Sequence, residues 1–390
     1  MIDLGTKFPH YPAAGGDFEN GTPSAKAREA FDTAVSAPPE TSQEELGGLL
    51  AAVHQSGGLT AAMDALFTWS LRSGYLTPEK LESNEHYAFY DSRREIEYRV
   101  QINVVRSGYS PEPGGAENLP PLHCAICREN IGRPGKEHLR VHDIVLPGTG
   151  SRYFLQLTPF PVFPYHFVLI SLEPEPMHVD RASMEDMTAF LEEAPGYTVC
   201  SNSDVEGAGS SILEHHHFQV FKGLSLPAMT AGAKRVFQAR DIRAEYLDFE
   251  CASLRLVSRE RDRLVGAAAD IMDYWKKGTG GNTGNLIVWR GCMEKGGEWN
   301  MIIFFRNPWY QIPQELKRFK SEGIGIIEAA GAAILPVPQG PQAEELYAEI
   351  RKNGGRIIGG ILEGINPVSP EKEPALWEAV TAIIEKFERS

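Results

Sequence analysis

The sequence has 390 residues, and 38 Lys and Arg against 52 Asp and Glu give a formal net charge of −14. Hydrophobic residues make up 42% and charged residues 23%, which is typical of a globular protein. At about 100–200 residues per domain, the length favours two domains or one large domain built from two halves. Because nucleic-acid backbones are bound largely by Lys and Arg, the acidic balance argues against a nucleic-acid partner. A small anionic ligand, which needs only a few local donors, stays compatible with it.

The cysteines and the hydropathy pattern indicate a soluble, cytoplasmic protein with no membrane partner. The five cysteines form an odd and sparse set, which makes a poor disulfide framework. The N-terminus has no basic region followed by an apolar stretch, so we expect no signal peptide. The most apolar window, residues 153–172, is interrupted by Pro159, Pro161 and Pro164. It therefore predicts strand, turn and strand instead of a membrane span.

The first predicted elements are helices. Residues 1–40 are rich in Gly and Pro and weakly patterned, which predicts an N-terminal arm laid over a domain. Ser42 and Glu45 have the spacing of a capping box, so a helix is expected from there to about residue 54. A second helix is predicted over about 59–71, where apolar residues fall at helical spacing.

Strands dominate the middle of the chain. Alternation predicts a strand over about 96–105, and further strands are expected over about 139–146, 153–158, 166–171, from 197, and over 215–221, with a helix over 183–193. After them, the pattern predicts a strand over about 246–257, a charged helix over about 258–276, strands around 285–290 and 300–306, and a final helix near 371–388. Strand runs mixed with helices of unequal spacing favour an α+β fold over a regular βαβ array.

A cluster of Pro and Gly between Leu224 and Gly232 is the best candidate for a linker between halves. The predicted organisation is therefore an N-terminal arm at 1–40, a first half at 41–225 and a second half at 226–390. We expect each half to be an antiparallel sheet flanked by helices.

The most informative motif is His215-His216-His217-Phe218-Gln219. In a strand, side chains alternate between faces, so His215, His217 and Gln219 would share one face. That arrangement places two imidazoles and an amide in a row. A chance run of polar residues on a strand edge, or an adventitious metal-binding patch, is the alternative interpretation.

A second motif is Cys124-Ala125-Ile126-Cys127. Such a turn lets two thiolates bind one tetrahedral zinc, and two further ligands must come from elsewhere. A redox pair or a coincidence would explain the spacing comparably well. His178 and His215, which are remote in sequence and near predicted strand ends, are better candidate ligands than the adjacent His123.

Together, these motifs resemble a known family. The order C-x-x-C, then a Pro-rich apolar strand pair, then H-x-H-x-Q is similar to the galactose-1-phosphate uridylyltransferase branch of the histidine-triad (HIT) superfamily. The run from Gly209 to Gln219 looks most like the nucleoside diphosphate sugar phosphorylases, such as GDP-galactose phosphorylase, and like diadenosine tetraphosphate phosphorylase. The resemblance covers about Cys124 to Gln219 well and the second half only in outline.

The resemblance implies a structural zinc site and a nucleotide site. Its zinc ligands would be Cys124, Cys127, His178 and His215. His217 would be the nucleophile that attacks the α-phosphorus of a nucleotide, and Gln219 would hydrogen-bond the non-bridging phosphate oxygens. Ser211 could bind the neighbouring phosphate, and Asn202 and Gly209 fall where the family has a phosphate-contacting loop.

The implied chemistry is physically consistent. A neutral imidazole is nucleophilic at pH 7, and a covalent nucleotidyl-histidine splits a difficult transfer into two displacements. A zinc held by His215 would fix the strand two residues before His217. With two thiolates and two imidazoles, the metal has no open position for water, so its role is structural.

Gln219 favours transfer over hydrolysis. Histidine-triad hydrolases typically carry a third His at this position, whereas an amide gives water no general base. The intermediate would then wait for inorganic phosphate or a sugar phosphate as the acceptor. All eleven His residues lie at or before His217, which departs from the uridylyltransferases and favours a phosphorylase. Thr158, where many relatives have Asn, leaves the ribose and base contacts open.

The remaining expectations concern charge and partners. Lys222, just past the motif, and Arg306, at a predicted strand end, are candidate phosphate donors. The expected substrate is a nucleoside diphosphate sugar or a dinucleoside polyphosphate, and a homodimer is compatible with the sequence. Two alternatives stay open: a hydrolase of the same fold, and a zinc-stabilised nucleotide-binding protein without turnover.

Overall fold

A ten-stranded antiparallel sheet forms the centre of the molecule, and a three-stranded sheet packs beside it. The structure is a computed structural model that describes residues 22–104, 124–291, 297–321 and 323–387. Its strands are β1 (Glu85–Asp91), β2 (Ile96–Ile102), β3 (Val141–Val145), β4 (Arg152–Leu157), β5 (His166–Ser171), β6 (Tyr197–Ser201), β7 (His217–Lys222), β8 (Ala233–Ala239), β9 (Ile242–Leu247), β10 (Ser253–Ser258), β11 (Thr283–Arg290), β12 (Trp299–Arg306) and β13 (Ala332–Leu335). Its helices are α1 (Ala25–Ser36), α2 (Gln43–Arg72), α3 (Pro78–Glu82), α4 (Arg181–Glu193), α5 (Pro227–Thr230), α6 (Arg261–Lys276), α7 (Ile326–Ala329), α8 (Ala343–Ile365) and α9 (Pro374–Lys386).

The large sheet consists of two units with the same connectivity. Its strand order is β3-β4-β5-β7-β6-β11-β12-β10-β9-β8, so each half of the sheet contains five consecutive strands of the chain in the same relative order. The helix α4 connects β5 to β6, and α6 connects the corresponding strands β10 and β11. The units meet where β6 pairs with β11, with Cys200 opposite Ile287. The predicted α+β class with antiparallel sheets is confirmed.

One face of the sheet is covered by helices. Apolar residues of α2, α4, α6 and α9 pack with alternate residues of both units into one continuous core, which includes the fully buried Trp69, Phe190, Phe218 and Phe305. Burial of such aromatic side chains dominates the stability of a core of this kind. This face therefore ties both units together.

The opposite face differs between the units. One row of paired residues crosses the sheet on this face and reads Gln156, Val168, Gln219, Cys200, Ile287 and Ile302. The second-unit part of this face is apolar and is buried under β1, β2, β13 and α8. The polar residues of the row lie in the first unit, where this face is the floor of a cavity.

Several local predictions can be compared with the structure. The capping box forms, because Ser42 Oγ accepts from the backbone N–H of Glu45 and the Glu45 carboxylate accepts from that of Ser42. The two predicted helices appear as α2 with one kink at Gly58, where φ is +87°. The strand predicted over 246–257 is two antiparallel strands, β9 and β10, since residues 248–252 turn the chain.

The predicted arm also contains an element that the sequence pattern did not reveal. Residues Ala25–Ser36 form α1, whose start is capped by Ser24 and whose buried residues include Phe31 and Val35. These side chains pack in the same core as α2. Among the helices described, none combines the length and the apolar character that crossing a membrane requires.

Candidate functional site

A cavity of about 580 Å³ lies on the first unit's open sheet face. Its floor is formed by Gln156, His166, Val168, His217 and Gln219, which lie on β4, β5 and β7. Its walls come from the segment after Cys124, from residues 207–212 and from residues of the second half between Lys320 and Ile334. A volume of this size is in the range of small-molecule and cofactor sites.

His217 stands at the start of β7 with one ring nitrogen fixed. Its Nδ1 lies 2.7 Å from the backbone oxygen of His215, so Nδ1 carries the proton and donates it to that carbonyl. The Nε2 atom is therefore the unprotonated nitrogen, and it has no hydrogen-bond partner among the described residues. Burial lowers the pKa of His217, and the hydrogen bond to the carbonyl opposes this effect. The ring is thus neutral at pH 7 and faces the cavity with an available lone pair.

Cys124, Cys127 and His215 form a compact, buried cluster. The two sulfur atoms are 2.9 Å apart, and His215 Nδ1 lies 3.3 Å from Cys124 Sγ and 3.4 Å from Cys127 Sγ. The other ring nitrogen of His215, Nε2, donates to the Ser171 carbonyl at 2.9 Å. This second hydrogen bond leaves Nδ1 as the free ligand atom, which is how metal-binding imidazoles are usually oriented. The donor set fits a thiophilic divalent metal such as zinc.

His178 is not brought to this cluster. Its Nδ1 lies 3.0 Å from Asp180, and its ring stacks on His216 with centroids 3.8 Å apart. His216 follows His215 and lies on the opposite side of the chain, in contact with Phe218. The expectation that His178 is the fourth ligand is therefore revised, since it pairs with the imidazole on the other side. His123, the residue beside Cys124, lies outside the described residues.

A glycine loop at one end of the cavity makes close contact with the second half. Gly209 has φ +97°, and a Cβ atom there would lie 1.8 Å from the carbonyl oxygen of Ile324. Asn202 Oδ1 accepts a hydrogen bond of 2.9 Å from the backbone N–H of Ile326. Asn202, Gly209 and Ser211 all line the cavity. Only a residue without a side chain fits at position 209.

Comparison with known proteins identifies related chains. A family described as a domain of unknown function (DUF4922) matches residues 83–222, which contain the thiolate cluster and the H-x-H-x-Q motif. Galactose-1-phosphate uridylyltransferase from Bacillus subtilis is 27% identical over 295 residues, which cover 67% of this chain and 56% of that protein. The enzyme of the same name from Bifidobacterium longum is 26% identical over 328 residues, which cover 76% of this chain and 62% of that protein.

The chain is related to the galactose-1-phosphate uridylyltransferases. The resemblance recognised from the sequence, to their branch of the histidine-triad superfamily, is thereby confirmed. The chain spans less than two thirds of the length of these uridylyltransferases. Among solved structures, yeast Ap4A phosphorylase Apa2 in complex with AMP aligns with a TM-score of 0.49 and 15% identity, over 78% of this chain and 94% of that one.

Two residues of this chain that are expected from the sequence to bind phosphate lie outside the cavity. Lys222 lies on the helix-covered face of β7, where its Nζ is 3.1 Å from the fully buried carboxylate of Asp64. Arg306 is buried behind the cavity, and its guanidinium donates to Asn285 Oδ1 at 2.5 Å and to the Ile324 carbonyl at 3.0 Å. Neither lines the cavity. Lys222 belongs to the core, and Arg306 supports the segment that contacts Gly209.

The cavity also contains polar residues that sequence reasoning missed. Gln156 Oε1 and His166 Nε2 are buried on its floor without a hydrogen-bond partner in the part of the chain that is described. Burial lowers the pKa of His166 to about 3, so this ring is neutral. Lys136 and Lys320 line the walls. Alternation along the predicted strands could have revealed Gln156, since it pairs through Val168 with Gln219.

Proposed function

We propose that this chain is a nucleotidyltransferase or phosphorylase that acts on a nucleoside diphosphate sugar or a dinucleoside polyphosphate through a nucleotidyl-histidine at His217. One observation carries the proposal: His217 has Nδ1 bound to a backbone carbonyl and Nε2 available on the floor of a nucleotide-sized cavity, beside Gln219. The buried, unpartnered polar atoms of Gln156 and His166 support a polar ligand, because buried polar groups are normally satisfied.

The first step forms a bond between His217 Nε2 and the α-phosphorus while the bond from that phosphorus to the bridging oxygen breaks. The leaving phosphate takes both electrons of that bond. The imidazole becomes positively charged, and the carbonyl oxygen of His215 stabilises it through the Nδ1 proton. In the second step, an oxygen of the acceptor forms a bond to the same phosphorus while the bond from that phosphorus to His217 Nε2 breaks, and its electron pair returns the imidazole to its neutral form.

Transfer is favoured over hydrolysis because Gln219 does not titrate. Its amide can donate to the non-bridging phosphate oxygens in both steps but cannot take a proton from water. Asn202, Gly209 and Ser211 line the same cavity and are placed to bind the neighbouring phosphate. The acceptor is inorganic phosphate or a sugar phosphate, and the names of the related uridylyltransferases agree with such chemistry.

Zinc is the metal that we infer for Cys124, Cys127 and His215. Two thiolates and one oriented imidazole match its preferred ligands, and the cluster holds the chain two residues before His217. When bound, the metal supplies rigidity and no catalytic group. His217 would then keep one orientation toward the α-phosphorus.

We also infer that the two halves have different roles. The first half, at 41–225, holds the metal cluster and His217, and the second half, at 226–390, shapes the substrate site. Residues from Lys320 to Ile334 form one wall of the cavity, which supports this inference. The corresponding face of the second unit is filled with apolar side chains. Each chain would therefore have one reaction centre.

The test is covalent labelling. The protein is incubated with UDP-galactose, GDP-galactose and diadenosine tetraphosphate, each carrying ³²P at the α-position, and acid-labile label on the chain is measured. We expect label with at least one substrate, its loss in His217→Asn, and its retention in the control His86→Asn, an exposed histidine on β1. Added inorganic phosphate or galactose 1-phosphate should discharge the label.

Other outcomes select other functions. Label that persists in His217→Asn would contradict the nucleophile. Release of nucleoside monophosphate at a rate that is indifferent to the acceptor would identify a hydrolase. Binding of these nucleotides without label or turnover would identify a nucleotide-binding protein.

A further inference from the structure

The cavity has very little positive charge for a site that receives a polyphosphate. The positively charged side chains among its described lining residues are Lys136 and Lys320. Lys320 is neutralised, because its Nζ lies 2.8 Å from the buried carboxylate of Glu328 and 3.0 Å from the Ile334 carbonyl. Glu328, which also lines the cavity, is thereby paired with Lys320. The charge balance of this site therefore depends on Lys136.

Lys136 is held by neutral oxygens alone. Its Nζ lies 2.8 Å from the backbone oxygen of Ala125 and 3.0 Å from Asn130 Oδ1. No carboxylate within the described ranges forms an ion pair with it. An ammonium carries three N–H donors, so two bonds to these oxygens leave one donor for a ligand. No carboxylate in the described part of the chain therefore balances its charge at the cavity wall.

The same contacts connect Lys136 to the thiolate cluster. Asn130 Nδ2 donates to the carbonyl oxygens of Cys124 and Cys127, at 3.1 and 2.8 Å, while Asn130 Oδ1 accepts from Lys136. The Asn130 side chain thus connects the turn that holds the two sulfur atoms to the Lys136 ammonium. A rigid turn fixes the position of the charge.

We propose that Lys136 is the main phosphate-binding cation of this site and that the Cys124–Cys127 turn positions it. The inference rests on the proposed nucleotide function and adds a residue to it. Its ligand is a phosphate oxygen of a nucleoside diphosphate or of the phosphate acceptor. Since a Zn²⁺ with two thiolates is electrically neutral, a filled metal site would leave the charge of Lys136 for the ligand.

The test uses a ligand series that differs in charge. Affinities for uridine, UMP and UDP, and for guanosine, GMP and GDP, are measured by calorimetry with the full-length protein and with Lys136→Gln, Lys136→Arg and the control Arg133→Met. Arg133 lies in the same segment, does not line the cavity, and donates from Nε to the Glu129 carbonyl. Metal content is measured for every variant.

For Lys136→Gln, we expect diphosphate affinity to fall about 10- to 100-fold, as for loss of a charge-assisted hydrogen bond, with nucleoside affinity and metal content unchanged. Lys136→Arg should recover most of the diphosphate affinity, and Arg133→Met should match the unmodified protein. An equal loss for nucleoside and diphosphate, or a loss of metal, would overturn the proposal in favour of a purely structural lysine. So would unchanged diphosphate affinity.

The result is independent of the labelling experiment. Charge-dependent binding through Lys136 in a protein that never forms a nucleotidyl-histidine would keep this inference and reject the proposed function. Label at His217, together with an unchanged affinity of Lys136→Gln for the diphosphates, would keep the proposed function and reject this inference. If Lys136→Gln does not fold, the salt dependence of UDP binding in Lys136→Arg still decides, because a phosphate contact of the guanidinium must weaken as salt rises.

Discussion

The buried pair of Asp64 and Lys222 makes the sharpest prediction about this fold. Asp64 lies in α2 and is completely buried, and Lys222 Nζ on β7 is 3.1 Å from its carboxylate. The Tyr165 hydroxyl also donates to this carboxylate, and the ammonium lies 5.2 Å from the centroid of the Tyr165 ring. The pair therefore joins the longest helix described to the strand that carries His217.

The loss of unfolding free energy in each variant depends on which of the two charges remains without a partner. Lys222→Met leaves the fully buried Asp64 carboxylate without its cation, so the free energy of unfolding should fall by about 3–5 kcal/mol. Asp64→Leu leaves the ammonium, whose side chain is 14% exposed, and should cost towards the lower end of that range. In Asp64→Leu with Lys222→Met neither charge of the pair remains, and the Tyr165 hydroxyl loses Asp64 as its acceptor. The double variant should therefore lose only about 1–3 kcal/mol, less than the sum of the single losses.

Urea unfolding followed by circular dichroism measures these differences, and calorimetry with UDP measures ligand affinity. Lys222→Met should bind UDP as the unmodified protein does, because Lys222 does not line the cavity. A Lys222→Met protein of unchanged stability and weakened UDP binding would refute the reasoning and restore Lys222 as a phosphate donor. Additive losses in the double variant would show that the two charges do not interact.

Three further changes test other parts of the structure. Gly209→Ala places a Cβ atom 1.8 Å from the Ile324 carbonyl at φ +97°, so the loop must move; we expect a loss of at least about 1–2 kcal/mol in urea unfolding and a raised KM. Cys124→Ala should lose the bound zinc, as measured by plasma mass spectrometry, whereas Cys251→Ala should retain it; equal zinc in both would contradict the cluster. Burial lowers the pKa of His142 to about 3. The unfolded chain takes up this proton first, at about pH 6.5, so stability should fall by about 1.4 kcal/mol per pH unit from pH 6.5 towards 3. His142→Gln should show a shallower slope in urea titrations at pH 7, 6 and 5.

Period-two alternation carried much of the site prediction. It placed His217 and Gln219 on one face of a strand, and both line the cavity. The same alternation, applied one step further, puts Lys222 on the opposite face with Phe218 and Val220, where the structure has it. The positive charge of Lys222 near the motif suggested a phosphate contact. Its place in the strand alternation, however, puts it on the face away from the cavity.

Residues that meet only through tertiary structure could not be predicted. Nothing near Lys136 in the sequence indicates that its ammonium bonds to the Cys124–Cys127 turn and reaches the cavity. Helix α8 was missed because its glycines weaken the helical pattern. At Gly354 a Cβ atom would lie 2.4 Å from the Phe89 ring, so packing against β1 requires a residue of low helix propensity there.

The strand pair at the middle of the large sheet bears on how far the two halves can be separated. All five residues of β6 are buried, and the ladder of β6 with β11 runs over Thr198–Ser201 and Leu286–Trp289. A fragment that ends at residue 225 would present β6 as an open edge, with unpaired backbone groups beside an uncovered apolar surface. Such edges invite pairing with other chains. The two halves share a strand order, but we expect neither to be stable alone, because each covers the sheet edge of the other.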